Sequence, residues 1–147
     1  MVDISGKGAS VRTALVRGAV RFSEECATRL TPEAVQEIIR TARIAGIQAA
    51  KQTHLLVPLC HQIPLAGIDV LIDYARGERT FALATRAKTT GSTGVEMEAL
   101  VAAQIAGTTI YDMIKAVDPA AIVGPFSLHE KDGGKNGPWR RGKDLVP

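Results

Sequence analysis

Residues 91–117, GSTGVEMEALVAAQIAGTTIYDMIKAV, form a helical pattern whose alanines and glycines fall on more than one face. Such a helix has to be packed on more than one side, because small residues let neighbouring backbones come close. A shorter echo lies earlier: Ala42-Arg43-Ile44-Ala45-Gly46 matches Ala103-Gln104-Ile105-Ala106-Gly107. The match falls once in each half of the chain and agrees with a duplicated βαβ unit. It puts Lys51 and Asp112 at corresponding positions, five residues after each glycine. Two such helices predict tight packing within the subunit and a substantial subunit interface.

The remaining pattern supplies a sheet for these helices. Over residues 11–22, Val16, Val20 and Phe22 alternate with Arg17 and Arg21, which reads as a half-buried strand. Ser23 with Glu24 and Glu25 opens a short turn. Thr31 followed by Pro32 and Glu33 reads as an N-cap with proline at the first helical position, starting a helix to about residue 53. Pro58 and Pro64 bracket VPLCHQIP, which fits neither regular helix nor central strand and is predicted to be a shaped loop. Residues 66–75 and 79–89 alternate about a turn at Gly77, with Phe81, Leu83 and Thr85 on one face, and form a hairpin. The long helix stops near Asp118 and Pro119, and a last strand covers residues 122–129. The order βαββαβ predicts an α+β, ferredoxin-like fold with two helices on one face of an antiparallel sheet.

Composition bounds what such a fold can serve. At 147 residues the chain is expected to be a single domain throughout, with residues 1–10 and 132–147 flexible when no ligand is bound. Hydrophobic content of 46% argues against disorder, and 22% charged residues with no 18-residue apolar run argue against a membrane span. The start, MVDISGKGASVR, lacks the apolar stretch of a secretory signal, and two cysteines without CxxC spacing fit a reducing cytoplasm. A net charge of +3 is too mild to indicate nucleic acid, and 4% aromatic residues offer no base-stacking strand. The excess charge is local: Lys131, Lys135, Arg140, Arg141 and Lys143 lie among glycines that free the backbone to wrap a ligand.

Four polar constellations exceed what folding requires. Cys60-His61 sits in the proline-bracketed loop, but adjacent residues of an extended chain point to opposite faces, which disfavours a Cys-His nucleophile dyad. Glu96-Met97-Glu98 opens the long helix, where acidic residues also complement the helix dipole, and the preceding GSTG offers backbone N–H groups to an anion. Asp112 and Lys115 stand one turn apart, as an ordinary surface pair or, if partly buried, as an acid/base pair whose lysine loses affinity for its proton. Lys131 and Lys135 are spaced by Asp-Gly-Gly and suit phosphates as point charges. Glu98 and Asp112 are fourteen residues apart on one helix face, hence separated by roughly 21 Å.

Taken together, MVDISGK, ARIAGIQAAK, PLCHQIPLAGIDV, TGVEMEAL, TIYDMIKAVD and KDGGKNGPW resemble the cyclic pyranopterin monophosphate synthase family of molybdenum-cofactor biosynthesis (MoaC). The resemblance runs from Val2 to Trp139, apart from residues 23–41. It implies a lyase that rearranges a cyclic dihydro-GTP intermediate to cyclic pyranopterin monophosphate and releases diphosphate. It also implies a homohexamer, a trimer of dimers, with sites at subunit interfaces. Carried onto matching positions, it makes Asp112 and Lys115 catalytic. Leu59, Cys60, His61, Met97 and Glu98 would line the substrate pocket, and Lys51, Lys131 and Lys135 would meet the phosphates. No cofactor is implied beyond, at most, Mg2+ accompanying the triphosphate, and no metal site, nucleic acid or membrane.

The chain departs from the family at one place. The family carries a Lys-Gly-Asp-Val segment just ahead of the ARIAG helix, with a second catalytic lysine. Here that region reads RLTPEAVQEIIRTARIAG, and no lysine occurs between Lys7 and Lys51. Arg29 or Arg40 can replace the charge but not the proton transfer, since a guanidinium stays protonated. The alternative to an active synthase is therefore a paralogue that binds a nucleotide without turnover.

Overall fold

In the computed structural model, residues 1–142 are described; Lys143 of the basic tail lies outside them. The strand β1 (Ser10–Arg21) leads through a short helix α1 (Glu24–Arg29) into α2 (Pro32–Lys51) and one turn of helix α3 (Thr53–Leu56). The hairpin β2 (Leu65–Ala75) and β3 (Thr80–Gly91) follows, then α4 (Glu96–Ile114), β4 (Ile122–Asp132) and a two-residue strand β5 (Trp139–Arg140). The sheet order is β2-β3-β1-β4-β5, and every pairing is antiparallel. Strands β1 to β4 with α2 and α4 reproduce the expected ferredoxin-like arrangement, and β5 extends its edge.

Local chemistry explains the boundaries. The Thr31 hydroxyl accepts a hydrogen bond from the Ala34 N–H at 3.2 Å and Pro32 occupies the first turn, so α2 starts where the sequence places it. The expected turn at Ser23 is instead α1, because the Ser23 hydroxyl caps Cys26 N–H at 3.2 Å and the helix buries Cys26 and Ala27. The long helix is shorter than its pattern: Gly91 ends β3, the next four residues form the approach, and Lys115 is the C-cap. Strand β4 outruns its expected end at residue 129, since pairing with β1 continues to Thr13 and Asp132.

The two echo segments hold equivalent places. Ala42 and Ala103 are buried, while Ile44 and Ile105 are exposed. A Cβ at Gly46 would lie 2.9 Å from the Ala102 carbonyl and 3.2 Å from Val70 of β2. One at Gly107 would lie 2.5 Å from Phe126 of β4. Each glycine thus lets its helix sit down on the strand that follows it. Because β1 and β3 are antiparallel, α2 and α4 also run in opposite directions.

Buried threonines lock this layer to the parts that matter below. Thr85 Oγ1 donates to the Ala99 carbonyl at 2.7 Å, and Thr89 Oγ1 donates to the Pro64 carbonyl at 2.7 Å, fixing the end of the 58–64 loop to β3. Gly46→Leu is expected to destabilise the fold by about 2 kcal/mol or more, because backbone rather than a movable side chain meets the new group. Urea unfolding at neutral pH measures this; an unchanged midpoint refutes the close approach.

Candidate active site

Two cavities meet at the N-terminal end of α4. The first, about 250 Å³, is lined by Lys7, Arg12, Lys131 and Lys135, with Ser92, Thr93 and Gly94 as its floor. The second, about 320 Å³, is lined by Leu59, Cys60, His61, Met97 and Glu98, closed by Val2 and Ile4. Lys7, Thr93, Gly94 and Glu96 belong to both, so the two are neighbouring compartments. One is cationic and the other mainly apolar with a single buried carboxyl.

Several elements converge to build the cationic compartment. Arg12 Nε donates to the Gly91 carbonyl at 2.9 Å, and Ser92 Oγ donates to the Lys7 carbonyl at 2.9 Å, which holds the N-terminal segment across the loop before α4. Gly133 and Gly134 turn the chain after β4 with φ of +89° and +80°. Any side chain at Gly133 would collide with the Val11 carbonyl, and one at Gly134 with the Arg12 guanidinium. Lys131 is placed by its pairing with Ala14 of β1, and glycine at both positions is what brings Lys135 to the side of Arg12. No side chain caps the start of α4 at Val95.

In the second compartment Glu98 is 3% exposed, and its Oε2 has no hydrogen-bond partner. Burial pushes its pKa above the ordinary carboxylate range, with a smaller contribution from the charge of Glu96. The Cys60 thiol is also pushed up, chiefly by burial and then by Glu98, so it stays protonated and is a poor nucleophile at neutral pH. This agrees with the argument against a Cys-His dyad. An unpartnered buried carboxyl beside an empty volume suits a ligand that presents N–H donors.

The other candidates stand elsewhere on the chain. Lys51 is exposed at the end of α2 and lines neither cavity. Asp112 and Lys115 form an ion pair of 2.6 Å at the far end of α4, with side chains 66% and 55% exposed. The partly buried pair with a lysine of lowered pKa is therefore not found in the single chain: Asp112 holds Lys115 above its ordinary value. Arg29 pairs with Glu25 at 2.6 Å, and Arg40 lines a shallow hollow on α2 with Glu33 and Glu37. Neither reaches the two compartments. Lys7 and Arg12, by contrast, line the cationic compartment without having been singled out. Lys7 belongs to the MVDISGK segment, a usable signal, whereas Arg12 within a strand pattern gives none.

The fold and this split cleft define an α+β protein with a cation-lined compartment joined to one that carries a buried carboxyl. The sequence profile of the MoaC family matches residues 1–134, and the chain belongs to that family. It is 44% identical over 147 residues to the cyclic pyranopterin monophosphate synthase of Bacillus licheniformis, covering 97% of this chain and 88% of the relative. The protein of that name from Bacillus pumilus is 42% identical over 149 residues, covering 99% of this chain and 91% of its own. Cyclic pyranopterin monophosphate synthase 2 of Mycobacterium tuberculosis is 43% identical over 143 residues, covering 96% and 84%.

The raised pKa of Glu98 fixes the sign of a pH effect. Below the ordinary carboxylate range the group is neutral in both states; as pH rises through the raised value, the buried charge destabilises the fold. Glu98→Gln should leave the melting temperature unchanged near pH 4 and raise it increasingly as pH rises toward 8, because the buried charge it removes forms only at the higher pH. Thermal melts across that range test this, and a difference that shrinks with rising pH contradicts it.

Proposed function

We propose that the protein is a cyclic pyranopterin monophosphate synthase of molybdenum-cofactor biosynthesis. Its substrate would be the cyclic dihydro-GTP intermediate, 3',8-cyclo-7,8-dihydroguanosine 5'-triphosphate, and its products cyclic pyranopterin monophosphate and diphosphate. The observation that carries this reading is the junction of a cationic and a carboxyl-bearing compartment in a chain 42–44% identical to synthases of that name.

Each compartment suits one end of such a molecule. Lys7, Arg12, Lys131 and Lys135 would take the phosphates, and Lys51 would reach them from the end of α2. Glu98, with Leu59, Cys60, His61 and Met97 around it, would take the guanine-derived ring through its N–H edge. Closing the cyclic phosphate forms a bond from a ribose-derived hydroxyl to the α-phosphorus, breaks the bond to diphosphate and releases the hydroxyl proton. Charge then builds on the leaving diphosphate oxygens, where fixed cations stabilise it. Opening and reclosing the ring needs further proton transfers, for which Asp112, Lys115 and His61 are the groups of suitable type.

Asp112 and Lys115 cannot serve the cleft of their own chain from the opposite end of α4. We therefore assign them to the cleft of a neighbouring subunit, within a homohexamer arranged as a trimer of dimers. Desolvation by that neighbour would oppose the raised Lys115 pKa and bring it toward proton-transfer range. No resident cofactor is invoked, and any Mg2+ would arrive with the triphosphate. Among the described residues no helix is long and apolar enough to cross a membrane, and we place the protein in the cytoplasm.

Incubation with the cyclic intermediate should release diphosphate stoichiometrically with product. Folded protein that binds the intermediate but releases none would establish the binding-only paralogue instead. Lys115→Ala should lower turnover by about 1,000-fold or more while leaving the melting temperature nearly unchanged, because its ion pair is exposed. Mixing Lys115→Ala with Glu98→Ala chains during reassembly should recover a measurable fraction of wild-type activity. Persistent inactivity of assembled mixtures would show that both residues serve one chain's site.

A further inference from the structure

Glu96 is the one acidic residue that lines both compartments; Asp132 borders only the cationic one and Glu98 only the other. Its Oε1 accepts from Lys131 Nζ at 3.1 Å, and both side chains are about one-third exposed, at 33% and 38%. The carboxylate is folded back over Gly94: a Cβ there would fall on Glu96 Oε2, so the absence of a side chain makes this seat available. A carboxylate here is out of place if the compartment only attracts anions, since it repels the ligand that Lys7, Arg12, Lys131 and Lys135 would gather.

Resting on the reading that the cationic compartment takes phosphates, we propose that Glu96 is a positioning residue that acts as an internal stand-in for them. In the unliganded site it holds Lys131 Nζ at the junction. An arriving phosphate must take Lys131 from it, and the carboxylate reclaims the lysine when the phosphate leaves. Every phosphate ligand is thereby bound more weakly than the cations alone would bind it. The effect bears most on diphosphate, which has no ring to anchor it in the second compartment. Glu96 would thus favour release of that product while the substrate stays held at both ends.

Titration calorimetry of the full-length protein with inorganic diphosphate tests the proposal. Glu96→Gln, which keeps the shape and removes the charge, is expected to bind diphosphate about fivefold more tightly than wild type. Glu96→Gln/Lys131→Ala should bind no more tightly than Lys131→Ala, because the gain runs through that lysine. With the cyclic substrate, Glu96→Gln should lower KM without raising kcat. A merely structural role for the pair would lower the melting temperature and leave diphosphate affinity equal or weaker, and that result overturns the proposal. So does a full gain in the Lys131→Ala background. Wild-type protein that binds neither diphosphate nor the cyclic substrate removes the functional reading itself.

Discussion

The hydrogen bond from Thr85 Oγ1 to the Ala99 carbonyl, together with the contacts at Gly46 and Gly107, seats α4 on the sheet and against α2. Ala99, Ala102, Ala103 and Ala106 are all buried, so the helix is gripped on more than one side, with Ile105, Asp112 and Met113 on its free face. A helix held in this way is a rigid strut whose ends keep a fixed separation. Its N-terminal end carries Glu96 and Glu98 at the junction of two cavities, and its C-terminal end carries Asp112 and Lys115. The distance between these groups follows from helix geometry and is too great for one small molecule to span. An assembly, rather than a bend in α4, is then what could unite them.

The charge pattern at the N-terminal end follows from how three chain segments are brought together. Gly133 and Gly134 curl the chain around Arg12, and the N-terminal segment crosses the loop before α4, so cations from three separate stretches share one compartment. Next to them, Glu98 is withdrawn from solvent with an oxygen left unpaired. Leaving that oxygen unsatisfied costs stability of order 1–3 kcal/mol, which a ligand with suitably placed N–H donors would offset on binding. A cation-rich compartment for phosphate and a carboxyl for a nitrogenous ring are complementary demands of a nucleotide-derived substrate. The two compartments share Lys7, Thr93, Gly94 and Glu96, so a single molecule with a phosphate end and a ring end could occupy both.

Much of this architecture is legible in the sequence. The strand alternation around Val16 and Val20, the Thr31-Pro32 start and the prolines about residues 58–64 each express a local rule, and each element lies close to where its rule puts it. The ARIAG echo pointed to the pseudo-equivalence of Gly46 and Gly107. Helix α1 reads as a turn in the sequence because its hydrophobic face is only Cys26 and Ala27, too short for a period to register. Strand β5 depends on pairing Trp139 and Arg140 with Lys131 and Glu130, a tertiary contact that no local pattern announces. In the site, Cys60, His61, Met97, Glu98, Lys131 and Lys135 border the joined cavities, whereas Arg12, in β1, is met there only because the Gly133–Gly134 turn folds over it, and it is invisible to spacing. Asp112 and Lys115 are recognisable as a pair from their spacing, and in the single chain both are exposed.

The lysine-free stretch takes on a definite place in this arrangement. It is not a loop ahead of a helix: residues 32–41 are the first half of α2, capped by Thr31 and anchored by buried Val35 and Ile38. The Ser23 N–H donates to Asp118 Oδ2 at 2.6 Å, which ties the start of α1 to the turn just past α4. The altered segment therefore belongs to the Asp112–Lys115 end of the molecule. At that end Arg29 and Arg40 supply fixed positive charge, and Lys115 is the remaining amine. Proton transfer from this half of a composite site would then fall to Asp112 and Lys115, because guanidinium groups can steady a phosphate without exchanging a proton. Under the proposed function, a missing lysine here would leave binding possible and would place the acid/base demand on a single ion pair.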